Sequence, residues 1–394
     1  MKITPIIILS TLLIHVHTTQ TSYFKSLFAI TVCSVSIVGI YTLFKPRTPE
    51  PFIPSKDNLN VYTFGPAQSI DHTHDIQTSI GINDLVDTIV QNKKSEHVQL
   101  VVTDDQQKPQ KIVSVDRGIK PYPDHKVIFI SSRGYAKRNV PLTDDYLELI
   151  KNGGCAIAAH AFIKDNIIHD APCITFDYPD TRDYFNFGQD LDVACLKTVW
   201  NEVTKLHPHA DLVGIGDCRG GKALLEFATE QPKNLKALVL LSPFVSTKDM
   251  TNQLAKSYLN WLPKSDILLY NFFDRYFPSF NTARDNLLDK AHLISPTLPI
   301  FIGYRKNDRL ASLQSMYDLM SILRSHGNQY VHFVAVSDDH ATHSRITPIA
   351  KLQCSVNAFL AIYGLPHSPE LAQAGIHHLF KKNSFKLTLA PIGN

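Results

Sequence analysis

Beyond residue 97 the chain alternates short apolar, β-branched runs with longer segments of helical period. Residues 98–103 and 111–115 are β-branched and separated by a polar turn, which predicts an antiparallel ribbon. Residues 127–130, 173–176, 212–215, 235–241, 300–303 and 331–336 are mainly apolar runs of strand length, interrupted by Thr175, Lys236 and His332, and 127–130 has the pattern of a buried strand. Helical segments are expected at 144–151 (stopped by Gly153-Gly154), 156–168, 191–206 and 222–229. The third is amphipathic, with Leu196, Val199, Trp200 and Val203 on its apolar side. Strands alternating with helices predict a largely parallel sheet with helices on both faces. A helical, aromatic stretch at 245–298 interrupts the alternation, carrying Tyr258, Trp261, Tyr270, Phe272, Phe273, Tyr276, Phe277 and Phe280. Such a stretch serves either as a helix pair packed on the domain or as a cap that lines an apolar pocket.

The first residues follow a different pattern. Residues 3–16 form a short apolar run interrupted by His15 and closed by His17. After a Thr/Ser-rich break, residues 27–43 have about the length needed to cross a bilayer. Lys25 flanks them on one side, Lys45 and Arg47 on the other. No small-x-small cleavage site is clear and a second apolar run follows the first, which favours a retained anchor over a cleaved signal. Lys45 and Arg47 favour a cytoplasmic catalytic domain, and Lys2 and Lys25 compete with them, so the side of the membrane stays open. Pro46, Pro49, Pro51 and Pro54 suit an extended linker. The expected organisation is a membrane anchor or signal-anchor at 1–44, a Pro-rich linker at 45–59, and an α/β domain at 60–394 with a cap insertion at 245–298.

Composition narrows the function. Of 394 residues, 44% are hydrophobic and 19% charged, a globular balance with a full core. The net charge of +3 comes from scattered lysines and arginines, which leaves nucleic-acid binding without an electrostatic footprint. None of the six cysteines falls in a C-x-x-C pair, which favours a reduced compartment. Cys155, Cys173 and Cys195 lie near apolar segments and suit small core positions. Asp71-His72-Thr73-His74-Asp75 has an H-x-H spacing in a polar region without a third ligand on a helix, so a solvated loop is expected and no metal site. His207 and His209, just past a helix end, suit capping roles.

The chemistry concentrates in Leu212-Val213-Gly214-Ile215-Gly216-Asp217-Cys218-Arg219-Gly220-Gly221-Lys222, which passes from strand to helix. A dinucleotide loop fails, because the third glycine position is Arg219. A phosphate loop matches at Gly216, Gly221 and Lys222, but its last position is Ala223, with no hydroxyl for a magnesium ion. The third reading is a nucleophile elbow, G-x-S-x-G, with Cys218 in the serine position between Gly216 and Gly220. An elbow strains its central residue and needs small neighbours two before and two after, where strand and helix pass close. Its thiol stands at a helix N-terminus, where N–H groups and the dipole favour a thiolate. An acid and a base should follow at strand ends. Asp308 follows the 300–303 strand, and His340 follows the 331–336 strand directly after Asp339. Asp249 and His343 are their rivals.

From about 127 to about 366 the chain resembles the α/β-hydrolase superfamily, on the strength of Gly216-x-Cys218-x-Gly220, the Gly303-x4-Asp308 loop and Asp339-His340. The cysteine string at 216–221 is similar to that of dienelactone hydrolases and polyhydroxyalkanoate synthases. The resemblance implies Cys218 as nucleophile, His340 as general base and acid, and Asp308 as the orienting carboxylate. It also implies an oxyanion hole made by the N–H groups of Arg219 and, from the 131–134 loop, Arg133. This sequence has Ser131-Ser132 where that loop commonly has His-Gly. The Arg219 side chain would add positive charge near the thiol, and Asp217 would oppose it. The implied activity is cofactor-free cleavage of small, apolar esters or thioesters through an acyl-cysteine. An acyltransferase, a phosphate-loop nucleotide-binding protein and an inactive interaction domain are the alternatives.

Overall fold

The computed structural model describes residues 52–69 (apart from 57, 60 and 67), 97–103, 109–136, 171–178, 188–276, 285–337 and 349–380. The anchor at 1–44, the helices expected at 144–151 and 156–168, Cys155, the 71–75 histidine cluster, Phe277, Phe280, His340 and His343 lie outside those residues. No helix among the described residues is long and apolar enough to cross a membrane.

Ten described strands form one sheet: β1 (Val61–Phe64), β2 (Gln68–Ser69), β3 (His97–Thr103), β4 (Pro109–Arg117), β5 (Val127–Ala136), β6 (Cys173–Tyr178), β7 (Asp211–Asp217), β8 (Leu235–Leu241), β9 (Ile300–Arg305) and β10 (Val331–Val336). Their order is β10-β9-β8-β7-β5-β6-β1-β4-β2, with β3 also paired to β4. The six strands from β10 to β6 run parallel. β1, β2, β3 and β4 pair antiparallel at the other end. The expected ribbon is β3 with β4, whose register sets Val98 opposite Val115.

Seven described helices follow in chain order: α1 (Asp190–Leu206), α2 (Arg219–Ala228), α3 (Thr247–Tyr258), α4 (Ser265–Tyr276), α5 (Leu313–Ser325), α6 (Ala350–Ile362) and α7 (Pro369–Phe380). The parallel strands read as mainly apolar runs because both faces are covered. Leu238 and Leu240 of β8 pack in one core cluster with Leu196 and Trp200 of α1, Leu224 of α2 and Leu319 of α5. The intervening Ala237, Val239 and Leu241 pack in a second cluster with Leu352, Val356 and Phe359 of α6. The period-2 alternation of the strands therefore sorts one apolar run onto two cores. Trp200 anchors the first, with its ring edge-on to Phe227 at 5.2 Å and its indole N–H donating to the Lys233 carbonyl. Cys173 and Cys195 are buried, as their apolar settings predict.

One sequence expectation needs correction, and a second gains detail. Residues 131–134 are not a loop after a short strand. β5 runs on to Ala136, and Ser131 and Ser132 are fully buried within it. Ser132 is accommodated because its hydroxyl and that of Tyr178 hydrogen-bond across to the neighbouring strand. The aromatic insertion is also only partly interior. α3 and α4 make its helix pair, and Trp261 between them is 60% exposed, so it does not line an enclosed pocket there.

His332 on β10 is buried beside the Phe359 and Tyr363 rings, with Nε2 2.8 Å from the Tyr363 hydroxyl. Burial first, and the charge of Arg324 second, lower its pKa from 6.5 to about 4. The unfolded chain therefore takes up this proton first, so the stability His332 provides is complete above about pH 6.5 and drains away as pH falls toward about 4. The loss amounts to about 3 kcal/mol. Urea titrations of wild type and His332→Gln should converge in stability between about pH 7 and about pH 4.5, because only the wild type has this proton to gain. An unchanged gap would contradict the assignment.

Candidate active site

The turn after β7 has the geometry its sequence requires. Cys218 sits at φ 53°, ψ −114°, a region that costs a non-glycine residue about 1–3 kcal/mol. Two backbone hydrogen bonds fix it there. Its N–H donates to the Leu241 carbonyl at 3.0 Å, and its carbonyl accepts from Lys222 N–H at 3.2 Å. The glycines are steric necessities. A Cβ on Gly216 would lie 2.6 Å from the Gly221 Cα, and one on Gly220 would lie 1.9 Å from the Ser132 carbonyl oxygen. Strand and helix thus touch backbone to backbone on either side of Cys218. The cysteine is half-buried, whereas Cys173 and Cys195 are sealed.

α2 begins at Arg219, so the Arg219 N–H is among the four at that end with no acceptor inside the helix. Register pairs Arg133 of β5 with Asp217 of β7, which places the Arg133 backbone one residue short of Cys218 on the adjacent strand. On its other side β5 is irregular. Ser132 faces Phe176 and Ala136 faces Tyr178, so β5 spends two more residues than β6 across that interval. A bulge of this kind releases backbone groups from the ladder, and it occurs here where the second donor is expected.

The Arg219 side chain departs from expectation. It turns inward, 1% exposed, and Nε and Nη2 donate to the two oxygens of Asp192 on α1 at 2.5 Å each. The guanidinium carbon lies 4.8 Å from the Tyr178 ring centroid. Burial acts to lower the Arg219 pKa, but the Asp192 carboxylate outweighs it and the value rises, so the guanidinium stays charged. Its charge is matched by Asp192 and is not available to the thiol. The sequence carried one signal of this: Asp192 stands four residues before Leu196, on the apolar side of its helix.

Lys222 also points inward. Its ammonium is fully buried, 3.7 Å from the Asp285 carboxylate and 6.0 Å from the Phe244 ring centroid. Burial lowers its pKa, with Asp285 working against the shift. Asp285 in turn accepts from Gln189 and from the N–H groups of Thr247 and Lys248 at the start of α3. A phosphate-loop lysine must reach a bound phosphate, and this one is spent joining the elbow helix to the first helix of the insertion.

Asp308 lies in the loop after β9, 9% exposed, with Oδ1 accepting from the N–H groups of Leu310 at 2.8 Å and Ala311 at 3.1 Å. Its rival Asp249 sits in the first turn of α3 and accepts from Ser312 N–H, the N-cap of α5. The Tyr304 hydroxyl donates to the Ala311 carbonyl, and burial together with the charges of Asp308 and Asp249 raises its pKa. Backbone bonds tie the carboxyl ends of the strands in sequence: Cys218 to Leu241, Ser242 N–H to Gly303 at 2.8 Å, and Lys306 N–H to Val336 at 2.9 Å. The Asp308 loop and the chain that leaves β10 toward His340 therefore start side by side.

Ser242, just after β8, is a further feature that pattern reading missed. It is fully buried at φ 44°, so two strained residues sit on neighbouring strand ends. Its only sequence signal is a polar residue ahead of Pro243. The described residues contain no group of three or more His, Cys, Asp or Glu arranged to hold a metal ion.

No protein-family model matches the chain, and no curated protein does. Solved structures are similar in outline. An esterase of Pyrococcus furiosus matches with a TM-score of 0.44 and 17% identity, over 68% of this chain and 91% of that one. A Xanthomonas campestris α/β serine hydrolase without a lid matches with a TM-score of 0.38 and 15% identity, over 70% and 98%. A Pyrococcus horikoshii acylaminoacyl peptidase matches with a TM-score of 0.40 and 13% identity, over 69% and 43%. With the parallel order β6-β5-β7-β8-β9-β10, antiparallel strands beyond β6 and a strained elbow directly after β7, this chain has the α/β-hydrolase fold.

Proposed function

We propose that the protein is an acyl hydrolase that cleaves esters or thioesters through a covalent acyl group on Cys218. The observation that carries this reading is the Cys218 backbone, held at φ 53° between two glycines that nothing larger can replace. A strained, half-exposed thiol at a helix N-terminus is where a nucleophile is needed and where a structural cysteine gains nothing.

In the proposed reaction His340 takes the proton of the Cys218 thiol, the sulfur attacks the substrate carbonyl carbon, and a C–S bond forms as the carbonyl electrons move onto oxygen. The N–H groups of Arg219 and Arg133 hold that oxyanion. Collapse expels the alcohol or thiol, which takes its proton from His340. His340 then removes a proton from water, water attacks the thioester, and the free acid and thiol result. Asp308 orients His340. Three residues separate Val336 from His340, four Cα steps with a reach of up to about 14 Å, and β10 lies three strand spacings of about 4.8 Å each from β7. A hydroxyl in place of water as acceptor would make the enzyme an acyltransferase. Residues 27–43 would hold the domain at a membrane, where apolar acyl substrates are concentrated.

The test is a panel of p-nitrophenyl esters and acyl thioesters of graded chain length, run on wild type and Cys218→Ala. Turnover that disappears in Cys218→Ala supports the reading, and turnover that survives at the wild-type rate ends it.

A further inference from the structure

We infer that Tyr178 and Ser132 are positioning residues for the oxyanion hole, acting through the hydroxyl bond between them in a closed circuit of buried contacts behind the elbow. This rests on the acyl-hydrolase reading above and adds to it two residues that touch no substrate.

The circuit can be followed around. The Arg219 guanidinium is gripped by both oxygens of Asp192 on α1, and Asp192 also accepts from Gly188 N–H at 2.7 Å. The same guanidinium lies over the Tyr178 ring on β6. The Tyr178 hydroxyl hydrogen-bonds to the Ser132 hydroxyl on β5. The Ser132 carbonyl abuts Gly220, which returns the circuit to α2 one residue after Arg219. Every member is nearly sealed: Arg219 and Tyr178 are 1% exposed, Asp192 and Ser132 fully buried.

The two proposed donors stand on this circuit at separate points. One is the N–H of Arg219 itself. The other belongs to Arg133, the residue after Ser132, where β5 leaves register with β6. On its β7 side Arg133 is held by its pairing with Asp217, but on its β6 side the ladder is interrupted, and the Tyr178–Ser132 bond is the contact beside that gap. An oxyanion hole stabilises charge only if its donors are aimed before the charge appears. The buried ion pair aims one donor, and the hydroxyl bond aims the other. Pairing a charge inside the core, against the cost of dehydrating it, is a means of fixing geometry.

The test separates aim from stability. Tyr178→Phe keeps the ring beneath the guanidinium and removes only the bond to Ser132, and Ser132→Ala removes the same bond from the other end. Acylation by p-nitrophenyl butyrate needs an oxyanion hole, whereas alkylation of Cys218 by iodoacetamide does not. Each variant should acylate about tenfold or more slowly, while its alkylation rate stays near wild type; each should also melt somewhat earlier, since it leaves one buried hydroxyl unpaired. The double variant should lose no more than either single one, since both delete one bond. If wild-type Cys218 takes up no acyl group, the parent reading fails and this one with it. If wild type acylates and Tyr178→Phe acylates equally fast, or if acylation and alkylation fall together, this inference alone is overturned.

Discussion

Gly220→Ala should fold poorly or not at all. The added methyl would sit 1.9 Å from the Ser132 carbonyl oxygen and 2.4 Å from its carbon, and both belong to the backbone of a strand near the middle of the sheet. No rotamer relieves that clash, so α2 must lift away from β5. Overpacking in a well-filled core costs about 1–3 kcal/mol and sometimes more. With a rigid neighbour on the strand side, the upper end of that range or beyond is expected. Gly221→Ala is the control next door, because its methyl would meet the Pro243 side chain at 3.0 Å, a contact that a small shift relieves. Denaturant titrations of the two variants should therefore differ by at least about 2 kcal/mol. Equal stabilities would mean that strand and helix are not in backbone contact here.

The second large effect concerns the base. His340→Asn should reduce ester turnover by about 10²–10⁴-fold, the usual contribution of a general base. His343→Asn should leave most of it. Steady-state rates on one activated ester decide between the two histidines. Turnover lost only in His343→Asn would move the base three residues along the chain. Asp308→Asn and Asp249→Asn form the matching pair for the acid. Asp249 is committed to the start of α5, so its variant should mainly lower stability, whereas the Asp308 variant should mainly lower turnover.

Much of this was legible because the relevant physics is local. Strands buried on both faces need mainly apolar runs, and 235–241 and 331–336 were bounded to the residue. The elbow was legible because its glycine spacing is a local pattern, although only Gly216 answers a demand within five residues, from Gly221, while Gly220 answers Ser132 on β5. What failed depended on distant partners. Ser131 and Ser132 resembled a loop because two adjacent serines rarely cross a sheet, and the hydroxyl that satisfies Ser132 is 46 residues away on β6. Arg219 resembled a charge offered to the thiol because its carboxylate lies 27 residues earlier on α1. Lys222 resembled a phosphate ligand for the same reason, with Asp285 arriving from the far side of the insertion. In each case the polar residue was noticed and its partner was not, because the fold alone makes them neighbours.

The central claim is that Cys218 carries the acyl group. Its most direct test is intact-protein and peptide mass measurement after brief acid quench of wild-type enzyme turning over a p-nitrophenyl ester. The account predicts one added acyl mass, located on the peptide that contains Cys218 and removed by neutral hydroxylamine, as a thioester requires. An adduct on any other residue, or steady turnover in Cys218→Ala, would contradict it.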